Sequence, residues 1–372
     1  SMKRYIHLLS ALLIALVFLT ACQSSQESNP QEVQSQVQKE SIDAIWNTWD
    51  ETLKENYNNI FFEGQIQCEK PQEVAVYQME QASNIDQKAE EIRKEYVPDK
   101  EFDKKYYKED PNTVPPGPEY VNPKTGRVFI LGDNGFINYS RSSEETKYVD
   151  EEDKIEKTVF VNRPYKDEEI VLKDGKITLS KAIDMAQKEE NKWKKLSGDA
   201  CDARAKKVEI LPAADGGDAQ AVKIYFEKHY KGVGILTDQR TTETSQDKPL
   251  SVEYVPCFDD ALIVTSVQGV ENFVSNMGAV HQKTVVRKLN QIVSLKSAIQ
   301  IMEKELASYH DFKIRNIELC YRYVNKNIKR NDAGTLYTTS PCWVFYINEE
   351  PYKEEFVLVD CETGKLDYIK NY

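Results

Sequence analysis

The sequence predicts an α+β protein, with an N-terminal helix and β-hairpin region followed by two repeated helix-plus-antiparallel-sheet modules. Three observations carry that expectation. Ile42, Ile45, Trp46, Trp49 and Leu53 fall on one face of a helix near the start of the body. "RVFILGDNGFINYS" sets Asp133-Asn134-Gly135, residues that tolerate positive φ, between two β-forming runs. "ITLSKAI" from Ile177 returns without gaps as "VSLKSAI" from Val293, and strand-like runs follow both copies.

The chain opens as a targeting segment. Lys3 and Arg4 form a basic start, and Ile6 to Leu19 is apolar apart from His7 and Ser10. That layout is a secretory signal, too short for a comfortable membrane span. Ser1 ahead of Met2 is expected to be a remnant of cloning. Leu19-Thr20-Ala21-Cys22 resembles the lipobox of bacterial lipoproteins. The resemblance implies that residues 1–21 are removed and that Cys22 carries a diacylglycerol. The alternative is an ordinary signal, or an uncleaved anchor, with a chance cysteine. At about 0.8 kcal/mol per buried CH₂, two or three acyl chains would hold the body at a membrane surface. Residues 22–40 then serve as a lipidated tether. Gln23 to Glu40 is rich in Gln, Ser and Glu and buries too little apolar surface to order itself.

Composition bounds the remainder. Apolar residues make up 40% and charged residues 30%, as in a soluble body. Cleavage removes two basic residues and no acid, moving the net charge from −12 to −14. An acidic balance argues against nucleic acid and against a polybasic membrane patch. Without Cys22, the cysteines are Cys68, Cys201, Cys257, Cys320, Cys342 and Cys361. An even set in an exported chain is compatible with three disulfides, for which 15 pairings exist. Cys320 with Cys342, and Cys201 with Cys257, are the expected pairs, and buried free thiols are the alternative. A metal cluster is not expected, because there is no Cys-x-x-Cys and histidine is scarce.

Elements follow in order. Residues 41–176 form the N-terminal α+β region. Ser41 is placed to cap the first helix, whose two tryptophans are read as core. "FFEGQIQC" and "EVAVYQM" read as strands, and Ile85 to Tyr96 as a charged helix. Pro111, Pro115, Pro116, Pro118 and Pro123 predict a loop, flanked by Tyr106, Tyr107 and Tyr120. The acidic hairpin turn at Asp133 has too few ligands for calcium.

The first module is expected over 177–281 and the second over 282–372. Thr178 and Ser294 occupy matching N-cap positions. The helical stripes run Leu179, Ala182, Ile183, Ala186 and Leu295, Ala298, Ile299, Met302, Leu306. "KVEIL", "AVKIYFEKHY" and "VEYVPCFDDALIVTSV" follow the first; "KIRNIELCYRYV", "PCWVFYINEE" and "EEFVLVDCETGKLDYI" follow the second. The helix opening and the final Val359-Asp360-Cys361-Glu362-Thr363-Gly364 turn resemble the PepSY-type module. They are also similar to the extracytoplasmic domains of the YycH and YycI regulators of Gram-positive bacteria. The resemblance covers Ile177 to Tyr372 and is stronger in the second half, since the first lacks the Thr-Gly turn. It implies a helix packed across a small antiparallel sheet and a binding or regulatory role outside the membrane. It brings no catalytic residues.

Neither His-Glu-x-x-His, Gly-x-Ser-x-Gly, a phosphate loop nor a dinucleotide fingerprint is present. His229, His281 and His310 are scattered. "DGGD" at Asp215 to Asp218 reads as a turn, and acid pairs such as Glu144-Glu145 and Glu151-Glu152 are too common to single out. The expectation is a non-enzymatic binding or regulatory protein that needs no cofactor, lipid-anchored on the outer face of the cell membrane. Its partner would be an envelope protein, a peptide or a cell-wall component. A cell-envelope hydrolase with an unfamiliar site is the alternative, favoured by converging acids or a Cys-His contact. A solute-binding lipoprotein is third, since two α/β lobes are usual there.

Overall fold

Strand pairing organises this chain. The structure, a computed structural model, describes residues 37–82, 84–98, 102–107, 116–141, 145–243, 251–257, 261–275, 280–331, 334–349 and 354–371. Cys22, the signal, most of the tether, Pro111, Pro115 and Glu144 lie outside the described residues.

Among the described residues, nineteen strands are linked into one mixed, branched sheet. One arm runs β8 (Lys157–Phe160), β11 (Asp202–Pro212), β12 (Ala219–Tyr230), β15 (Ala261–Ser266), β16 (Gly269–Ser275), β7 (Ile137–Ser140), β6 (Val128–Leu131), β5 (Gly117–Val121) and β4 (Asp103–Tyr107). Each neighbour in this arm is antiparallel. The hairpin of β9 (Glu169–Leu172) and β10 (Gly175–Thr178) joins it where Leu172 meets Ala219. In the other arm, β21 (Gly334–Asn348) pairs with β20 (Asn316–Asn331) along one edge. Its other edge is shared by β3 (Ala75–Ala82) and β22 (Glu354–Asp360). β17 (Val280–Lys288) lies outside β3, and β23 (Leu366–Asn371) outside β22.

β13 (Val233–Glu243) connects the arms. It leaves β12 through a tight turn in which Lys231 and Gly232 both have positive φ. Its first residues, Gly234–Leu236, lie parallel to Cys320–Arg322 of β20, and it then pairs with β14 (Ser251–Cys257). Two small ladders stand apart: β1 (Lys39–Glu40) with β18 (Ile292–Val293), and β2 (Ile60–Phe62) parallel to β19 (Phe312–Ile314).

This arrangement overturns the expected α+β fold of an N-terminal region followed by two helix-plus-sheet modules. The protein is mostly β, and its ladders run across the expected units. β3, from the N-terminal region, is sandwiched between β17 and β21. β7, from the same region, pairs with β16. The β13–β20 pairing is parallel and joins what were read as separate modules. The physical reason is that a local pattern identifies strands but not their partners. β-pairing is non-local, and an unpaired strand edge is satisfied by whichever strand the core brings beside it.

Helices lie against this sheet. α1 (Ile42–Asn47) and α2 (Trp49–Lys54) divide the single helix read from the sequence, with a break at Thr48. Ser41 caps α1 by accepting from the Ala44 N–H. A 3₁₀ turn over Ile85–Lys88 leads into α3 (Ala89–Tyr96). α4 (Leu179–Ser197) buries Leu179, Ala182, Ala186, Glu190 and Trp193 at helical spacing against the first arm. Thr178 caps its start, and Gly198, at φ 70°, ends it in the left-handed region. α5 (Leu295–Glu305) is capped by Ser294 and buries Leu295, Ala298, Ile299 and Met302 against the second arm.

Trp46, Trp49 and Trp343 meet in that second core, with ring centroids 5.5–6.1 Å apart. The last residues assigned to the tether are folded in. Ser294 N–H donates to the Gln38 carbonyl, and Gln38 N–H donates to Ser297 Oγ. Among the described residues, no helix is long and apolar enough to cross a membrane.

Candidate functional site

A polar seam forms where β11 and β12 meet β20 and β21. Residues two apart on a strand share a face, so Glu227 and His229 of β12 point together, as do Glu318 and Cys320 of β20. Lys206 joins them through a bulge. The β11–β12 register skips it, between Ala205 and Lys207. A bulge re-aims one side chain, and here the one it turns inward is a lysine only 3% exposed. The bulge also frees the Lys206 carbonyl to accept from Val161 N–H at 2.8 Å.

Lys206 Nζ lies 3.3 Å from Glu227 Oε1 and 5.5 Å from the Tyr346 ring centroid. Glu227 Oε2 is 3.5 Å from His229 Nε2. Neither Glu227 Oε1 nor His229 Nδ1 makes a hydrogen bond, although both are buried. Glu318 is better supplied. Its Oε1 accepts from Asn162 Nδ2 at 3.1 Å and Asn316 Nδ2 at 3.3 Å, and its Oε2 accepts from Tyr346 Oη at 3.2 Å. Arg163 extends the network. It donates twice to Glu349 at 2.7 Å and lies over the Phe160 ring, 4.4 Å from its centroid.

Burial, with the like charge of Glu227 second, pushes the Glu318 carboxyl up to about 7. Lys206 and His229 oppose the shift, and Glu349 adds to it. Glu318 therefore changes charge near neutral pH, well above a solvated carboxyl. Cys320 Sγ sits 3.9 Å from Glu318 Oε2. Burial and then Glu318 raise that thiol well above its ordinary range. A nucleophilic cysteine requires the opposite shift, because the thiolate attacks. The seam thus brings together a thiol, a histidine and two acids while holding the thiol protonated. It can store and release a proton, and as it stands it does not supply a nucleophile.

Gly234 makes the crossing possible. It lies opposite His229 on one side and Cys320 on the other. A Cβ there would stand 3.0 Å from Cys320 Sγ and 3.8 Å from His229 Nε2. On the other face of β12, Lys228 pairs with Asp199, whose Oδ1 also accepts from Cys201 N–H at 2.9 Å and Val280 N–H at 3.2 Å. Lys228, Asp199 and Cys201 line a small polar pocket with Glu190, Trp193 and Lys194. Trp193 Nε1 is buried there without a hydrogen-bond partner.

Of the residues singled out in the sequence, His229 and Cys320 enter the seam. Cys342 faces Cys320 across the β20–β21 ladder. Cys361, in the turn just after β22, joins the other core, and burial raises its thiol well above the ordinary range. Cys68 packs beside that core, its thiol pushed up to about 12 by burial. Cys201 lies at the Asp199 pocket. Cys257 pairs with Thr237 through its backbone, and its side chain is outside the described residues. Cys68, Cys201, Cys320, Cys342 and Cys361 are all thiols in this structure. Among the described residues, no group of three His, Cys, Asp or Glu is arranged to hold a metal ion. Sequence reading missed Lys206, Glu227, Glu318 and Glu349. The available signal was a charged residue inside an apolar strand, as in "IYFEKHY" and "NIELCYRY".

The architecture has a solved counterpart. The chain is similar to the crystal structure of an uncharacterized protein from Eubacterium rectale, at 12% identity and a TM-score of 0.52. The match covers 87% of this chain and 94% of that one. At that identity the likeness shows the fold alone. No protein-family model matches the chain, and no curated protein matches it either.

Proposed function

We propose that this protein is held by a lipid on Cys22 at the outer face of a cell membrane and works by binding. The partner is another envelope protein, a peptide or a cell-wall component. The observation that carries the reading is Leu19-Thr20-Ala21-Cys22 at the end of an apolar run with a basic start. The folded body supports it in two ways. β1, at Lys39–Glu40, pairs with β18 where the tether is expected to end. The ionisable side chains of the seam lie between strands and hold its thiol protonated, an arrangement suited to joining the arms of a sheet.

The hydrolase reading has one observation in its favour, the convergence of Glu227, Glu318, His229 and Cys320. The upward shift of the thiol weighs against a cysteine mechanism. The experiment is labelling of growing cells with an alkyne fatty acid, followed by crosslinking at the surface and recovery of the protein. The expected result is a labelled protein, label lost in Cys22→Ala, and one envelope partner enriched over that variant. An unlabelled wild-type protein would refute the anchor. Turnover of peptide or glycan substrates with no crosslinked partner would refute the binding role.

A further inference from the structure

We infer that Cys320 and Cys342 close into a disulfide across β20 and β21 when the chain folds in an oxidising compartment. The ladder places the two residues directly opposite one another. Cys361 N–H donates to the Pro341 carbonyl, so alternate residues of β21 bond toward β22 and Cys342 turns its backbone groups toward β20. Cys320 and Cys342 are therefore a hydrogen-bonded antiparallel pair, for which the Cα separation is about 5.5 Å. That lies inside the Cα range a disulfide spans, about 4.4–6.8 Å, while the Cβ atoms of such a pair, about 5.5 Å apart, must draw in by about 1 Å as the bond closes. The side chains share a face and a core cluster, with Leu236, Val344 and Tyr346. Cys361 is excluded as the partner of Cys342, because it pairs with Pro341 and packs in the cluster on the opposite face.

The surroundings favour a bond that forms early and then persists. In the completed sheet Cys320 Sγ lies toward Gly234 of β13, so it meets Cys342 by rotating toward β21. Burial and the Glu318 carboxylate keep the Cys320 thiol protonated once the sheet is complete. Exchange requires a thiolate, so oxidation belongs to the stage before β13 covers β20, and the finished bond is shielded from attacking thiols. The oxidant is a disulfide, either glutathione disulfide or the active-site disulfide of an exchange enzyme. The two cysteines lose two protons and two electrons and form one S–S bond. The oxidant's S–S bond breaks and takes up both as two thiols.

The test refolds the full chain from denaturant, reduced at the start, in a buffer containing glutathione disulfide and glutathione. It is then alkylated in denaturant and digested with trypsin. The expected result is that the peptide ending at Arg322 is joined to the peptide ending at Lys353 and separates from it on reduction. Cys342→Ser should return Cys320 to full alkylation. Complete alkylation of both cysteines in the refolded wild-type chain, or a bond from Cys320 to any other cysteine, would overturn the inference. Because the oxidant is supplied, the outcome does not depend on where the protein resides. A bond formed here but absent from cell-derived protein would count against the export reading alone.

Discussion

Replacing Glu318 with glutamine tests the electrostatics of the seam. The glutamine keeps the shape, keeps an acceptor for Asn162 and Asn316, and cannot ionise. In the folded protein the Glu318 carboxyl is raised from 4.5 to about 7. The folded state therefore holds a proton that the unfolded state has released across that interval. By linkage, the contribution of Glu318 is fully present below about pH 4.5 and is lost as pH rises through about 7. Between pH 5.5 and 8 the loss integrates to about 2 kcal/mol. That value is a ceiling, because Glu318 keeps a partly exposed surface that water screens. The assay is urea unfolding of wild-type and Glu318→Gln protein at both pH values. The stability of the variant relative to the wild type should grow by about 1–2 kcal/mol between pH 5.5 and pH 8. A constant difference across pH, or a wild type that gains on the variant at pH 8, would refute the argument.

Three further outcomes follow from named contacts. Gly234→Ala puts a Cβ 3.0 Å from Cys320 Sγ and should cost about 1–3 kcal/mol; adding Cys320→Ala should restore most of it, measured by urea unfolding. Lys206→Met leaves Glu227 buried without its cation, at about 3–5 kcal/mol. Pairing it with Glu227→Leu should recover most of that loss, and a double-mutant cycle reads the difference. Ser294→Ala removes the acceptor for the buried Ser297 N–H at 3.0 Å and should cost about 1 kcal/mol in thermal unfolding.

Local features of this fold are legible in the sequence because their causes are local. Ser41, Thr178 and Ser294 cap helices with their own hydroxyls. The Asp133-Asn134-Gly135 turn closes through Phe136 N–H donating to Asn134 Oδ1, with Gly135 at φ 89°. Asp360 Oδ1 accepts from Glu362 and Thr363 N–H, and Gly364 takes φ 73° to finish the last hairpin. What the sequence leaves open is partner choice. Nothing within "EVAVYQM" records that β3 will lie between β17 and β21, because both neighbours are more than two hundred residues away. Pro118 shows the same limit. Proline argues for loop, yet Pro118 enters β5 opposite Tyr106, near the strand's start, where a missing donor is tolerated. The seam was hidden for a related reason. Lys206 reads as one of many surface lysines until a bulge, itself a product of pairing with β12 and β8, turns it inward.

The composition of the seam also answers how the arms find their register. The parallel contact between β13 and β20 covers only Gly234–Leu236, too short for backbone bonds alone to fix the alignment. A slip of one residue in β20 would move every side chain to the opposite face. Glu318 and Cys320 would then enter the core that holds Trp343 and Phe345, away from Asn162, Tyr346 and Lys206. Burying a carboxyl without those partners costs several kcal/mol, so the slipped alignment is penalised more than the correct one is favoured. The same logic explains why an apolar replacement of Lys206 and Glu227 can retain stability. A buried ion pair adds little net energy over a packed apolar pair. What it contributes here is discrimination, since one alignment satisfies it and the neighbouring ones do not. The polar groups of the seam therefore bear on which sheet forms more than on how stable that sheet is.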